Sequence, residues 1–200
     1  MSYRIIAIER QYGSGGREIA KRASDELGID YYGQEILIKA AERCGIPARQ
    51  LEELEERSND TVWDSISQLN KMFYDDGNAM SDKNRLAKLE AEIIMEIANK
   101  EECIFLGRGS AFLLGDRKDT LSVFVYADYE FRKEHAVNNY GIDEAGADKK
   151  IKFIDKKRAN YYSSLRELMW ADKEGYDLML NSGKLGIDKC IELIVKAYRS

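Results

Sequence analysis

The chain has 200 residues, 44% of them apolar, which suits one domain with a sizeable core. Its formal net charge of −5 argues against bulk binding to a nucleic-acid polymer or to an anionic membrane surface, and leaves room for a local basic pocket. No stretch approaches the roughly 20 apolar residues of a membrane span and no signal-peptide core is evident, so the expectation is a cytoplasmic chain without membrane contact.

In chain order, YRIIAIE (3–9) is a nearly continuous apolar run, the pattern of a parallel strand covered on both faces. It leads into the glycine-rich stretch RQYGSGGRE (10–18) and the helical pattern REIAKRASDELG (17–28). IDYY (29–32) is a weaker strand candidate. The spacing then predicts helices over 34–45, 48–58, about 61–73 and 83–100, with a polar break at DDGNAMSD (75–82). CIFLG (103–107), TLSVFVYA (120–127) and YDLMLNS (176–182) are further buried-strand runs. Helical patterns fill 129–141, about 148–170 and 186–198. Strands alternating with helices predict an α/β fold with a parallel sheet, interrupted by a helical insertion at 34–101. Cys44, Cys103 and Cys190 are far apart and read as buried thiols of a reducing compartment. With no C-x-x-C pair and His135 as the single histidine, zinc has almost no ligands. His135 sits in a charged helical pattern and reads as exposed rather than as a base.

A strand, a glycine turn and a helix make an anion cradle, because backbone N–H groups converge where the helix N-terminus adds partial positive charge. Gly13, Ser14, Gly15 and Gly16 supply such a turn. The usual loop adds a lysine for the β- and γ-phosphates and a hydroxyl for magnesium, and neither is present. One register puts Gly16 at the lysine position and Arg17 at the hydroxyl position; sliding by one puts Arg17 and Glu18 there. In both, Arg17 is the loop's only cation, and Glu18 has no hydroxyl but could hold magnesium through water.

Three later segments stand out. LGRGSAFLL (106–114) puts Arg108 at a strand's C-terminal end, where open α/β sheets bind ligands; a surface salt bridge is the plainer alternative. KKIKFIDKKRANYY (149–162) holds six basic residues and one acid between Lys149 and Arg158, with Ile151, Ile154, Tyr161 and Leu165 at helical spacing. YDLMLNSGKLGIDK (176–189) is a strand, a turn and the closing helix.

Together with RQYGSGGREIAKRASDELGIDYY (10–32), these segments resemble the cytidylate kinase-like family of P-loop nucleoside monophosphate kinases along the whole chain. FVYADYEFRKE (124–134) and DKKRANYY (155–162) are similar to its strand and lid regions, and WADKEGYDLMLNSGKLGID (170–188) to its closing segment. The resemblance implies a single three-layer P-loop NTPase domain over 1–200, with the 34–101 insertion on the acceptor side and a helical lid at about 129–170. It implies a kinase that uses ATP and Mg2+ to phosphorylate a nucleoside monophosphate, with the pyrimidine CMP foremost. Gly13, Ser14, Gly15, Gly16 and Arg17 match the phosphate loop. Arg108 matches the arginine that contacts the acceptor phosphate in the family's Gly-Arg-Asp segment, although Gly109 stands where the aspartate would be. Arg132 and Arg158 match lid arginines that clamp transferring phosphates. Asp155, one turn before Arg158, would orient it and border the substrate, and Tyr161 would pack or stack on a base. Metal ligands are left open. Two other readings remain: a catalytically degenerate nucleotide-binding module acting through a protein partner, or a chain without ligand that self-associates. For the last, Leu86, Leu89, Ile93 and Ile97 give either ordinary core or a homo-oligomer seam.

Overall fold

A computed structural model describes residues 2–43, 79–165 and 170–200. The helices expected at 48–58 and 61–73, and Cys44, lie outside the described residues. Five parallel strands form one sheet in the order β2-β3-β1-β4-β5. They are β1 (Ile5–Arg10), β2 (Asp30–Tyr32), β3 (Cys103–Leu106), β4 (Thr120–Tyr126) and β5 (Leu178–Asn181). The helices are α1 (Gly16–Leu27), α2 (Gln34–Arg43), α3 (Ala79–Lys100), α4 (Ser110–Leu113), α5 (Tyr129–Tyr140), α6 (Glu144–Leu165), α7 (Ser182–Leu185) and α8 (Ile187–Tyr198). All four strong strand runs and the weaker one at 29–32 are therefore strands, and the three-layer parallel α/β class is the observed one.

Period-two alternation sends neighbouring strand residues to opposite faces. Ile6 and Ile8 of β1, Ile104 of β3 and Leu121, Val123 and Val125 of β4 pack with Ile19, Ala20 and Ala23 of α1 and Ile191, Ile194 and Val195 of α8. Phe124 points to the other face and clusters with Tyr162 of α6 and Trp170. Cys103 and Cys190 are buried free thiols. Burial raises both thiol pKa values, that of Cys103 to about 12, so neither is a reactive thiolate at neutral pH.

The chain divides into two compact units, Met1–Tyr32 with Ala98–Ser200, and Gly33–Ile97. The first contains the whole sheet. In the second, Ile36, Leu37, Ala40 and Ala41 of α2 and Ile93 and Ile94 of α3 are buried. Arg43 Nη2 pairs with Glu96 Oε2 at 2.8 Å across these two helices. Helix α3 starts at Ala79, so residues 79–82 of the expected polar break are helical. Acidic and hydroxyl residues suit a helix's first turn as well as a loop, so composition alone does not separate the two.

Candidate functional site

The glycine-rich stretch is a tightly braced turn between β1 and α1. The Gln11 N–H donates to Val125 O at 3.0 Å, and Gln11 Oε1 accepts the Ala127 N–H at 3.3 Å. The Tyr12 N–H donates to Asp155 Oδ1 at 2.7 Å. Ser14 is fully buried; its hydroxyl donates to Gln11 O at 2.8 Å, and its carbonyl lies 2.7 Å from Ser182 Oγ. Gly13 has φ 81°, and a Cβ there would run into the backbone carbonyl of Arg132, so glycine is required by both conformation and space. Helix α1 has Gly15 as its N-cap and no side-chain cap. Its first-turn N–H groups are therefore open to an anion from outside the chain.

Arginines surround this turn. Arg17 lies exposed in the first turn of α1. Arg108 follows β3 with φ 62°, between Gly107 and Gly109 at 75° and 67°. A non-glycine residue held in the left-handed region stores strain of about 1–3 kcal/mol, which is tolerated where a side chain has to be aimed. Arg158 Nη1 donates to Arg10 O at 2.8 Å, and its guanidinium stands 5.7 Å from the centre of the Tyr12 ring. Burial, reinforced by Arg10, pushes the Arg158 pKa down to about 9. Arg10 is lowered too, first by burial and then by Arg108 and Arg17, against the opposing pull of Glu9. Arg10, Arg17, Arg108 and Arg158 thus share one electrostatic neighbourhood at the C-terminal ends of β1 and β3.

Arg132 and Asp155 differ from expectation. Arg132 is 8% exposed, its Nη1 donates to Tyr12 O at 3.2 Å, and it pairs with Asp155 Oδ2. Both Asp155 oxygens are taken, one by the Tyr12 N–H and one by Arg132. Asp155 therefore braces the loop, and its charge also acts on Arg158. The spacing to Arg158 is right for a helix pair, but Arg132 arrives from α5 and takes the carboxylate. His135 is half-buried rather than exposed: it stacks on Phe131 at 5.7 Å, and desolvation lowers its pKa. Beside the loop, it lines an open groove with Arg17, Tyr31, Asn139 and Tyr140. Tyr161 is half-buried, whereas its neighbour Tyr162 enters the core.

Sequence reasoning missed Arg10 and Glu9. Their only sequence signal is two charged residues at the end of an otherwise apolar strand. Glu9 is 3% exposed; Oε2 accepts from Trp170 Nε1 at 3.4 Å and lies 4.0 Å from Arg10 Nη1. Oε1 is buried without a hydrogen-bond partner among the described residues. Burial raises the Glu9 pKa, and Arg10 pulls it back.

The turn fits a polyphosphate, with uncapped N–H groups and cations beside them. It does not fit a protein-held magnesium. The Ser14 side chain is fully buried beneath the loop, and Glu18 points along α1 to Arg22 at 3.1 Å. Among the described residues, no group of three or more His, Cys, Asp and Glu could hold a metal ion. No helix among them is long and apolar enough to cross a membrane.

A model of the cytidylate kinase-like family matches residues 5–184. A cytidylate kinase of Methanopyrus kandleri is 22% identical over 202 aligned positions that cover 96% of this chain and 92% of that protein. A uronate isomerase of Corynebacterium glutamicum is 28% identical over 95 residues, but the match spans 48% of this chain and only 18% of that protein's length. Among solved structures, an uncharacterised protein of Eubacterium ventriosum superimposes with a TM-score of 0.72 at 25% identity, covering 98% of both chains. A shikimate kinase of Bacteroides thetaiotaomicron has a TM-score of 0.53 at 13% identity, covering 96% of both, a likeness of fold alone.

Proposed function

The chain belongs to the cytidylate kinase-like family, and from that membership we propose that it transfers the γ-phosphate of ATP to a pyrimidine nucleoside monophosphate, CMP foremost. The observation that carries this reading is the convergence on the end of β1, where Arg10 lies against the uncapped first residue of α1, its carbonyl accepts from Arg158, and its guanidinium lies against Gly107 beside Arg108. Like charges brought together at a strand end repel one another, and a bound polyanion relieves that repulsion.

Phosphoryl transfer asks the protein for position and charge neutralisation, with little covalent work. The N–H groups of the loop and of α1 would bind the donor phosphates, with Arg17 at the rim. Arg108 would hold the acceptor phosphate from the strained turn after β3. Arg158 would meet the charge that develops on the transferring group. Arg132 and Asp155 act one step back as positioning residues, since each holds the backbone of Tyr12. Magnesium, where the reaction uses it, would further neutralise the phosphate oxygens. The two buried thiols accord with a reducing cytoplasm.

The test is ADP formation from ATP and magnesium with CMP, dCMP, UMP, AMP and GMP offered separately. Turnover is expected with one or more pyrimidine monophosphates. Folded protein whose melting temperature rises with ATP, yet which turns over none of the five, would instead support a nucleotide-binding module that has lost transfer chemistry.

A further inference from the structure

Gly16 poses a problem of space rather than of backbone. It is the first residue of α1, and its φ is not positive, so any L-residue could adopt its conformation. A Cβ at position 16 would nevertheless stand 2.6 Å from Arg10 Cβ and 2.9 Å from Arg10 Cγ. Those are the near atoms of the arginine, fixed by the β1 backbone, and cannot swing aside as a chain end can. At the other end of the same side chain, the guanidinium lies against Gly107, whose φ of 75° by itself calls for glycine. Arg10 therefore runs along a slot with Gly16 at its stem and Gly107 at its head. The slot leads from the mouth of the phosphate loop to the turn that carries Arg108. In one of the two loop registers, position 16 belongs to the lysine of an ordinary phosphate loop.

We propose that Arg10 is the phosphate-binding cation of this loop, lying in the space a lysine at position 16 would need, with Gly16 kept small to admit it. This rests on the phosphate-loop reading above and adds the residue that replaces the loop's missing charge. The strand end offers what a loop position would not. The stem is buried against Gly16, and the planar head reaches the Arg108 turn, between the donor loop and the proposed acceptor site. A guanidinium can grip two phosphate oxygens at once. The Arg10 side chain keeps 21% of its surface exposed, so a ligand can reach it. Its position in the fold is held by the β1–β4 register, where Arg10 pairs with Val125. Its carbonyl accepts the Arg158 guanidinium at 2.8 Å, which brings a second cation to the same strand end.

The proposal is tested with inorganic tripolyphosphate as the probe, its affinity measured by isothermal titration calorimetry on the full chain. Arg10→Met keeps the stem and removes the charge; it should weaken binding about ten- to a hundredfold, the scale of one lost charge-assisted contact. Arg17→Met should weaken it less. Gly16→Lys should lower the melting temperature and bind poorly, because lysine and Arg10 compete for one space. The double variant Arg10→Gly with Gly16→Lys should recover the melting temperature and regain affinity to within about tenfold of wild type. Wild-type affinity in folded Arg10→Met, a larger loss for Arg17→Met, or a double variant no better than Gly16→Lys would each overturn the proposal. Wild-type protein that fails to bind tripolyphosphate would overturn the phosphate-loop reading along with it. Tight binding without turnover on any acceptor would defeat only the kinase reading, and the affinities alone then decide for or against Arg10.

Discussion

A guanidinium enclosed by protein keeps its charge at a cost, and Arg158 meets that cost with one backbone carbonyl, a nearby tyrosine face and the field of Asp155. Such a group contributes more to a bound polyanion than to the empty fold. Arg158→Ala is therefore expected to lower turnover by about a hundred- to a thousandfold. Stability should change by only about 1 kcal/mol, since the lost hydrogen bond is offset by relief of repulsion from Arg10. Steady-state kinetics and thermal melts on the same preparation check this, and unchanged turnover would remove Arg158 from the phosphate path. Resemblance made Arg158 visible in the sequence, but not Arg10. Counting along the loop considers only residues inside it, whereas Arg10 enters from the strand end and reveals itself by what it excludes from Gly16. Asp155 shows the converse limit. Local spacing pointed it at Arg158, and a partner from another helix took it.

At the scale of elements, the strands were legible because a sheet covered on both faces has to be apolar at every position. β1 extends beyond its apolar run to Arg10 because the ladder to β4 continues while the side chains turn polar. Helix ends were less legible, as the start of α3 at Ala79 inside an expected break shows. Gly28 at the end of α1 and Gly13 in the loop before it do different work. Gly28 closes it at φ 67° with nothing within 4 Å of a would-be Cβ, so Gly28→Ala should cost only the left-handed penalty of about 1–2 kcal/mol. Gly13 carries the same penalty and also backs directly onto the Arg132 carbonyl. Gly13→Ala should therefore cost about 2–4 kcal/mol and displace the loop. Urea denaturation of both variants gives the comparison, and equal losses would mean that the contact between loop and α5 gives way easily.

At the scale of the molecule, 36 acidic residues outnumber 31 basic ones, yet the arginines at one end of the sheet create a local positive field. That opposition predicts how stability responds to a polyanion. Burial and the neighbouring Arg10 push the folded-state pKa of Arg158 down to about 9, well below its ordinary value. Below about pH 9 the folded protein carries the cation and its full cost. Between there and the ordinary value the unfolded chain binds more protons than the folded one, so this group's cost fades as pH rises. A bound polyphosphate acts oppositely, since it favours the charged guanidinium. Tripolyphosphate should therefore raise the melting temperature most below pH 9, by an amount set by its concentration relative to its dissociation constant. The gain should shrink between pH 8 and pH 10, even though the ligand itself becomes more negative over that interval. It should also fall as salt screens the site's exposed rim. Melts at constant ionic strength, with and without tripolyphosphate, measure the difference directly. A gain that holds or grows up to pH 10 would mean that Arg158 stays fully charged in the empty site, and that burial costs it far less than its enclosure implies.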